Sequence, residues 1–251
     1  MDTTGRILAS VLPTLKGRTI ADAVFGLSLI VLQLDDGMLG SALLLMEELH
    51  TCQDIYPVTK EIIGASAEKI ALWSVEGSDA LQRAIGFAVI NAAAHYQIPS
   101  DKEAVEARDA VEVRRGETVG MVGNIHALND YVRSMTDKLY IFDRGAPGPG
   151  IEPEERQAEL LPLCDVVLIT GSSFLNESFP HVAGLCSRAR EVWVIGPSTP
   201  MYPLAYADLP VTHIAGMLWQ AQYKDEIFKA VSLGAVTKDI SQFAKKITIS
   251  L

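Results

Sequence analysis

Residues 166–179 read VVLITGSSFLNESF, and this stretch decides the fold class. Four consecutive apolar residues, Val166–Ile169, fit a strand buried on both faces. Ser178 onward fits a helix. Between them the chain breaks at Gly171 and turns into hydroxyls, an amide and a carboxylate. Doubly wound sheets hold ligands at strand ends of this kind.

The same grammar extends outward from it. From about residue 117 the chain alternates: a strand at TVGMVG (118–123), a helix at ALNDYVRSMTD with Leu128, Val132 and Met135 on one side, a strand at KLYIFD, and a short helical EPEERQAELLP. After 166–188 come strands at EVWVIG and VTHIAG, a helix over 225–233 and a last strand near KKITISL. Short apolar strands separated by helices imply βαβ units, hence a Rossmann-like, mostly parallel α/β sheet. The first half reads as smaller and α+β. TTGRILASVLPTL is an amphipathic helix with Thr3 or Thr4 as its cap. ADAVFGLSLIVLQLDDGMLGSALLLM is two apolar runs joined at Asp35-Asp36-Gly37, a strong hairpin signal. Helices at SAEKIALWSV and DALQRAIGFAVINAAAHY follow. The polar stretch 97–117 joins the halves, so the expected domains are 1–105 and 106–251.

Composition narrows the partners. The chain has 251 residues, 49% of them hydrophobic, and a formal charge of −10. That charge opposes a nucleic-acid partner, because a polyanion is repelled. The densest apolar segment, 23–34, is shorter than the roughly 20 residues of a membrane helix. The start lacks the pattern of a secretory leader. A cytoplasmic protein with no membrane partner is expected. Leu43–Met46 would suit either a homodimer face or a core strand. Cys52, Cys164 and Cys186 form no CxxC pair, and Cys164 and Cys186 suit buried small hydrophobes.

Chemistry is expected where the later strands end. Three tips begin with glycine: GNIHAL (123–128), the Gly171 tip within TGSSFLNES (170–178), and GPSTPMYP (196–203). In a parallel sheet all three share one edge, and glycine lets backbone N–H groups face a ligand. His126, just past a strand, could bind metal or move a proton. Ser172, Ser173 and Asn176 could equally cap the next helix. Several chemistries are disfavoured. GNIHAL is not GxGxxG, and Asp143 is the one acidic candidate for a ribose. GSSFL lacks the second glycine of a hydrolase elbow, and nothing pairs His181 or His213 with Ser173. No P-loop occurs, and His50, His95 and His213 show no HxxxH or HExxH spacing.

The ITGSSFLN and GPSTP strings together with VGNIHAL resemble the signature loops of the heavy-metal-chelation family. GASAEKIALW and ALQRAIGFAVINA resemble its first half more loosely, so the likeness covers nearly the whole chain. The resemblance implies an enolase-N-terminal-like domain followed by a Rossmann-like one, with no enolase chemistry, since that enzyme's metal-binding barrel is absent. It also implies a crevice between the halves, built from Gly123, Asn124, His126, Gly171, Ser172, Ser173, Asn176, Gly196, Ser198 and Thr199. Gln82 stands where an acidic residue facing the crevice is expected. The favoured function is binding of a small anionic ligand or a metal–chelate complex, with a divalent metal or metal chelate as the implied cofactor and the metal itself unspecified. The alternative is a transferase or lyase acting on a chelator, with His126 as catalytic acid or base. Binding is preferred because no nucleophile–base pair can be assembled. A third option is a scaffold whose crevice is packed shut.

Overall fold

The computed structural model describes residues 2–49, 55–99, 101–144 and 148–251. The first helix, α1 (Thr3–Leu15), is capped by Asp2, whose carboxylate accepts from the Gly5 amide at 2.8 Å. Thr3, one of the two expected caps, is buried instead. Three strands follow rather than two: β1 (Ile20–Phe25), β2 (Leu29–Leu34) and β3 (Leu39–Leu43). The run 23–34 splits because the chain turns at Gly26, whose amide donates back to Leu29 at 2.9 Å. The Asp35–Gly37 turn then joins β2 to β3 in antiparallel register.

Helix α2 (Ala80–Ala93) lies against this meander. A Cβ at Gly40 of β3 would sit 2.1 Å from Ala88 O and from Ala92 N, so glycine there lets helix and strand backbones touch. Asp79 caps α2 by accepting from Gln82 N at 2.8 Å. The Gln82 side chain accepts from Ser78 N at 3.0 Å, closing the helix start on itself.

The second half supplies β4 (Val119–Val122), β5 (Leu139–Phe142), β6 (Ile151–Glu152), β7 (Val166–Thr170), β8 (Glu191–Ile195), β9 (His213–Trp219) and β10 (Ala244–Ser250). Between them lie helices α3 (His126–Met135), α4 (Phe179–Leu185) and α5 (Lys224–Ser232). Pairings β8/β9, β7/β8, β4/β7, β4/β5 and β5/β6 are parallel, the mostly parallel α/β sheet that the alternation predicts. β10 runs antiparallel to β9. One antiparallel bridge, Leu39 to Trp219, connects β3 to β9, so both halves form a single sheet ordered β1-β2-β3-β9-β8-β7-β4-β5-β6.

The core also crosses the join. Phe87 of α2 packs 5.5 Å from Phe174, and Phe174 stacks on Phe179 at 4.1 Å, with Tyr206 edge-on to both. Each such buried aromatic removes enough apolar surface from water to stabilise the fold by roughly 1.5–3 kcal/mol. On the other face of the sheet, Met121, Leu168 and Trp193 bury against Leu128 and Val132 of α3. Among the described residues no helix is long and apolar enough to cross a membrane.

Candidate functional site

The three glycine-led tips are neighbours. Gly123 ends β4 in the left-handed region (φ +82), and a Cβ there would lie 2.5 Å from Thr170 Cγ2 of β7. At Gly171 a Cβ would lie 2.5 Å from Thr199 N and 2.7 Å from its Oγ1, so the β7 and β8 tips also touch. Each contact leaves room for hydrogen and nothing larger.

Beside β4 the sheet order reverses. The chain leaves β4 toward β5 on one side, while β7 and β8 lie on the other. At such a switch the following loops part and open a crevice. A cavity of about 270 Å³ opens there. Gly123, Thr170, Ser172, Ser173 and Asn176 line it from the β4 and β7 tips, and Leu45 and Glu47 line it from the first half. Its remaining wall includes Asp143 and Arg144 after β5, and Glu152, Glu154 and Gln157 beyond.

Local hydrogen bonds shape the β7 tip. Thr170 caps a single 3-10 turn, Gly171–Phe174, with its hydroxyl 3.0 Å from Ser172 Oγ. Ser173 is buried and donates to Thr170 O at 2.7 Å. Asn176 Oδ1 accepts from Ser178 N at 3.3 Å and from Ser178 Oγ at 2.8 Å. Glu177 then takes φ +60, a conformation non-glycine residues seldom adopt. Arg83 of α2 steadies this bend, donating from Nε to Leu175 O at 2.6 Å and pairing with Glu177 at 3.3 Å.

The other sequence candidates have different surroundings. Asn124 N donates to Asp143 at 2.8 Å, so Asp143 fastens the β4 tip to β5. His126 is exposed at the start of α3, and neither it nor Asn124 lines the cavity. Ser198 and Thr199 are buried, and Ser198 Oγ accepts from Leu43 N of β3 at 2.8 Å. Next to it, Asn91 of α2 donates to Ser41 O at 2.9 Å, Ser41 Oγ donates to Pro197 O at 3.3 Å, and Trp219 Nε1 donates to Ser41 Oγ at 2.7 Å. Gly196 precedes this buried polar joint, its amide bonded to Ala215 O at 3.0 Å. Gln82 is absent from the cavity wall because it caps α2.

Electrostatics at the cavity are lopsided. Among the described residues that line it, four carboxylates, Glu47, Asp143, Glu152 and Glu154, stand against one guanidinium, Arg144. Arg144 holds Glu154 through two bonds of 2.6 and 2.5 Å and reaches Glu48 of the first half at 3.0 Å. That contact keeps the Glu154 carboxyl below its ordinary value. Glu152 pairs with Arg156 at 2.6 Å. Among the described residues no group of three or more His, Cys, Asp or Glu is arranged to hold a metal ion. His50 and Cys52 lie outside the described residues. Burial pushes the Cys164 and Cys186 thiols up to about 12, which removes them as thiolate ligands near neutral pH.

Arg144, Glu154 and Gln157 escape a search for glycine-led tips. The loop after β5 opens on Asp143-Arg144, and the charged EPEER run looks like an ordinary solvated turn. Their signal was position: β5 lies next to β4 at the switch.

Comparison with known proteins agrees with this architecture. A DUF364-family protein of unknown function from Pyrococcus horikoshii superposes with a TM-score of 0.81, covering 99% of this chain and 100% of that one at 18% identity. One from Desulfitobacterium hafniense DCB-2, also of unknown function, gives 0.78 over 99% and 98% at 22% identity. An uncharacterized protein of Methanocaldococcus jannaschii is 28% identical over 142 residues, which is 55% of this chain and 54% of that protein. The chain thus matches about half the length of that relative. The DUF4213 family model, described as "Putative heavy-metal chelation", matches residues 8–94, and the DUF364 model, with the same description, matches residues 106–250. By that match over more than half its length, the chain belongs to the DUF364 family.

Proposed function

We propose that the crevice at the β4 and β7 tips binds a small metal–chelate complex. The observation that carries this is the lining of the cavity: among the described residues, four carboxylates line it against one guanidinium at a topological switch point. Its 270 Å³ lies just under the range of about 300–1,000 Å³ common for small-molecule pockets. A bare polyanion suits it poorly, since a unit negative charge about 4 Å from one carboxylate costs on the order of 4 kcal/mol at an effective dielectric near 20. A chelate combines a cationic metal, which the carboxylates of Glu47 and Asp143 favour, with an outer carboxylate that Arg144 can take. It also brings its own ligands, so no three-residue protein metal site is required. The family description supports the same direction. The exposed His126 lies outside the cavity, so no acid–base step is assigned to it.

Thermal unfolding with nickel–citrate, nickel alone and citrate alone tests this. At 100-fold excess over Kd, binding adds about 2.7 kcal/mol, which for a chain of this size raises Tm by roughly 5–10 °C. The intact complex should exceed both components, and Glu47→Lys or Ser172→Ala should reduce the shift without lowering the Tm of the free protein. Equal shifts from nickel alone, or shifts indifferent to both substitutions, would overturn the proposal.

A further inference from the structure

The opposite edge of the sheet carries a second concavity. It lies at the amino ends of β4 and β5, between the Arg115-Gly116 bend and the last turn of α3, with a volume of about 330 Å³. Three cations line it, Arg115, Arg133 and Lys138, against one carboxylate, Asp137. All four side chains are exposed, and none of the three cations pairs with a described carboxylate. Of the eleven described arginines, Arg6, Arg18, Arg83, Arg144, Arg156 and Arg190 are paired, while Arg108, Arg114 and Arg188 form no ion pair with a described carboxylate either; what sets this hollow apart is that three such cations line it together.

The surroundings make the cluster informative. The chain carries 31 acidic residues against 21 basic ones, so cations left unpaired together in one hollow run against the average. Like charges gathered in a concave wall repel each other, and an anion relieves that repulsion. A helix-end role accounts for part of it, since Arg133 in the last turn of α3 offsets the helix dipole. It does not account for Arg115 and Lys138, which reach the same hollow from two other segments. The neighbouring hydroxyls are occupied: Thr136 Oγ1 donates to Glu117 O and accepts from Lys138 N, and Ser134 donates to Tyr131 O. Recognition there falls to the two guanidinium forks and the ammonium. Guanidinium forks match the paired oxygens of phosphate groups, while the ammonium adds a point charge.

We infer that this hollow is a second ligand site, for a small multiply charged oxyanion of the phosphate or pyrophosphate class. It is separate from the crevice in position, in charge and in ligand. Occupancy needs nothing from the crevice.

Calorimetric titration with pyrophosphate, at constant ionic strength set by chloride, tests it on the full chain. Wild type should bind, with affinity falling as salt rises. Arg133→Ala should weaken binding about tenfold, Lys138→Met about threefold, and the double variant Arg115→Ala/Arg133→Ala should abolish it. All these positions are exposed, and circular dichroism checks that each variant keeps the native fold. The crevice variant Ser172→Ala, which leaves the crevice charge unchanged, should bind pyrophosphate as wild type does. Absence of wild-type binding at millimolar pyrophosphate would overturn the inference. So would binding that survives the double variant, or that is lost in Ser172→Ala instead.

Discussion

The β7 and β8 tips begin alike in sequence and end in opposite surroundings. Gly171 opens a turn whose Ser172 and Asn176 line a cavity, whereas Gly196 opens a loop whose Ser198 and Thr199 are sealed under β3 and α2. A glycine after a strand fixes which edge of the sheet a loop occupies. What lies above that loop decides whether its hydroxyls meet a ligand or satisfy the protein's own backbone. Beside β7, at β4, the sheet order reverses and the chain parts. Above β8 the first-half meander descends and takes the Ser198 hydroxyl and the Pro197 carbonyl into its own hydrogen bonds, while Thr199 Oγ1 is buried without a partner among the described residues.

The contrast breaks most sharply at Gly171, where the two loops touch. Gly171→Ala would drive a methyl group to 2.5 Å from Thr199 N, and backbone on that side cannot rotate away. Overpacking of this kind costs about 3 kcal/mol, or roughly 6–12 °C of Tm at this size. Calorimetric unfolding of the purified variant checks it, and a Tm within about 2 °C of wild type would mean that the tips are farther apart than described. Next in size is Ser198→Ala, which leaves the half-buried Leu43 N–H without its acceptor. A cost of about 2 kcal/mol is expected, with Ser198→Thr recovering part of it. Urea midpoints for the pair measure this directly.

Acid should act on the sheet with a smaller effect. His95 is held near β3, and burial lowers its pKa, against the opposing influence of the Leu39 backbone and Asp36. His213 opens β9, stacked 4.0 Å from Trp193, and burial lowers it too, with Glu191 opposing. Folded-state values below the unfolded value near 6.5 mean that the unfolded chain binds protons first as pH falls. This contribution is therefore complete above about pH 6.5 and declines below it. The paired carboxylates, such as Glu117 with Arg190, lose their contribution at lower pH still. Tm measured at pH 7.5 and 5.5 should show the decline, and His95→Gln/His213→Gln should flatten it. An unchanged slope in the double variant would remove the histidines from the account.

These particulars show how far sequence carries. Strand–helix alternation after residue 117 was legible because a buried parallel strand must be apolar throughout and its crossover helix amphipathic. The hairpin at Gly37 was legible because turn chemistry is local. The break at Gly26 was not, since its cause is α5, where Val231 O would lie 2.7 Å from an added Cβ. Gln82 was placed on the right helix, but its capping bond to Ser78 depends on local geometry that one-letter patterning does not record. Ser198 and Asn176 look equally available in sequence. Only the fold of residues more than a hundred positions away distinguishes them.

The finest test of the contrast is Ser172→Ala, where stability and binding should separate. Ser172 Oγ lies 3.0 Å from Thr170 Oγ1, but Thr170 keeps its bond from the Ser172 amide when the hydroxyl is gone. No buried group is orphaned, so stability should stay within about 0.5 kcal/mol of wild type. A hydroxyl that bonds a charged ligand contributes about 1.5 kcal/mol, so nickel–citrate should bind roughly tenfold more weakly. Ser198→Ala should do the reverse, losing stability while its folded fraction binds the chelate with unchanged affinity. If instead both serines move stability and affinity together, the two tips form a single mechanical unit. Occupation of the crevice would then be felt directly in the joint between the halves.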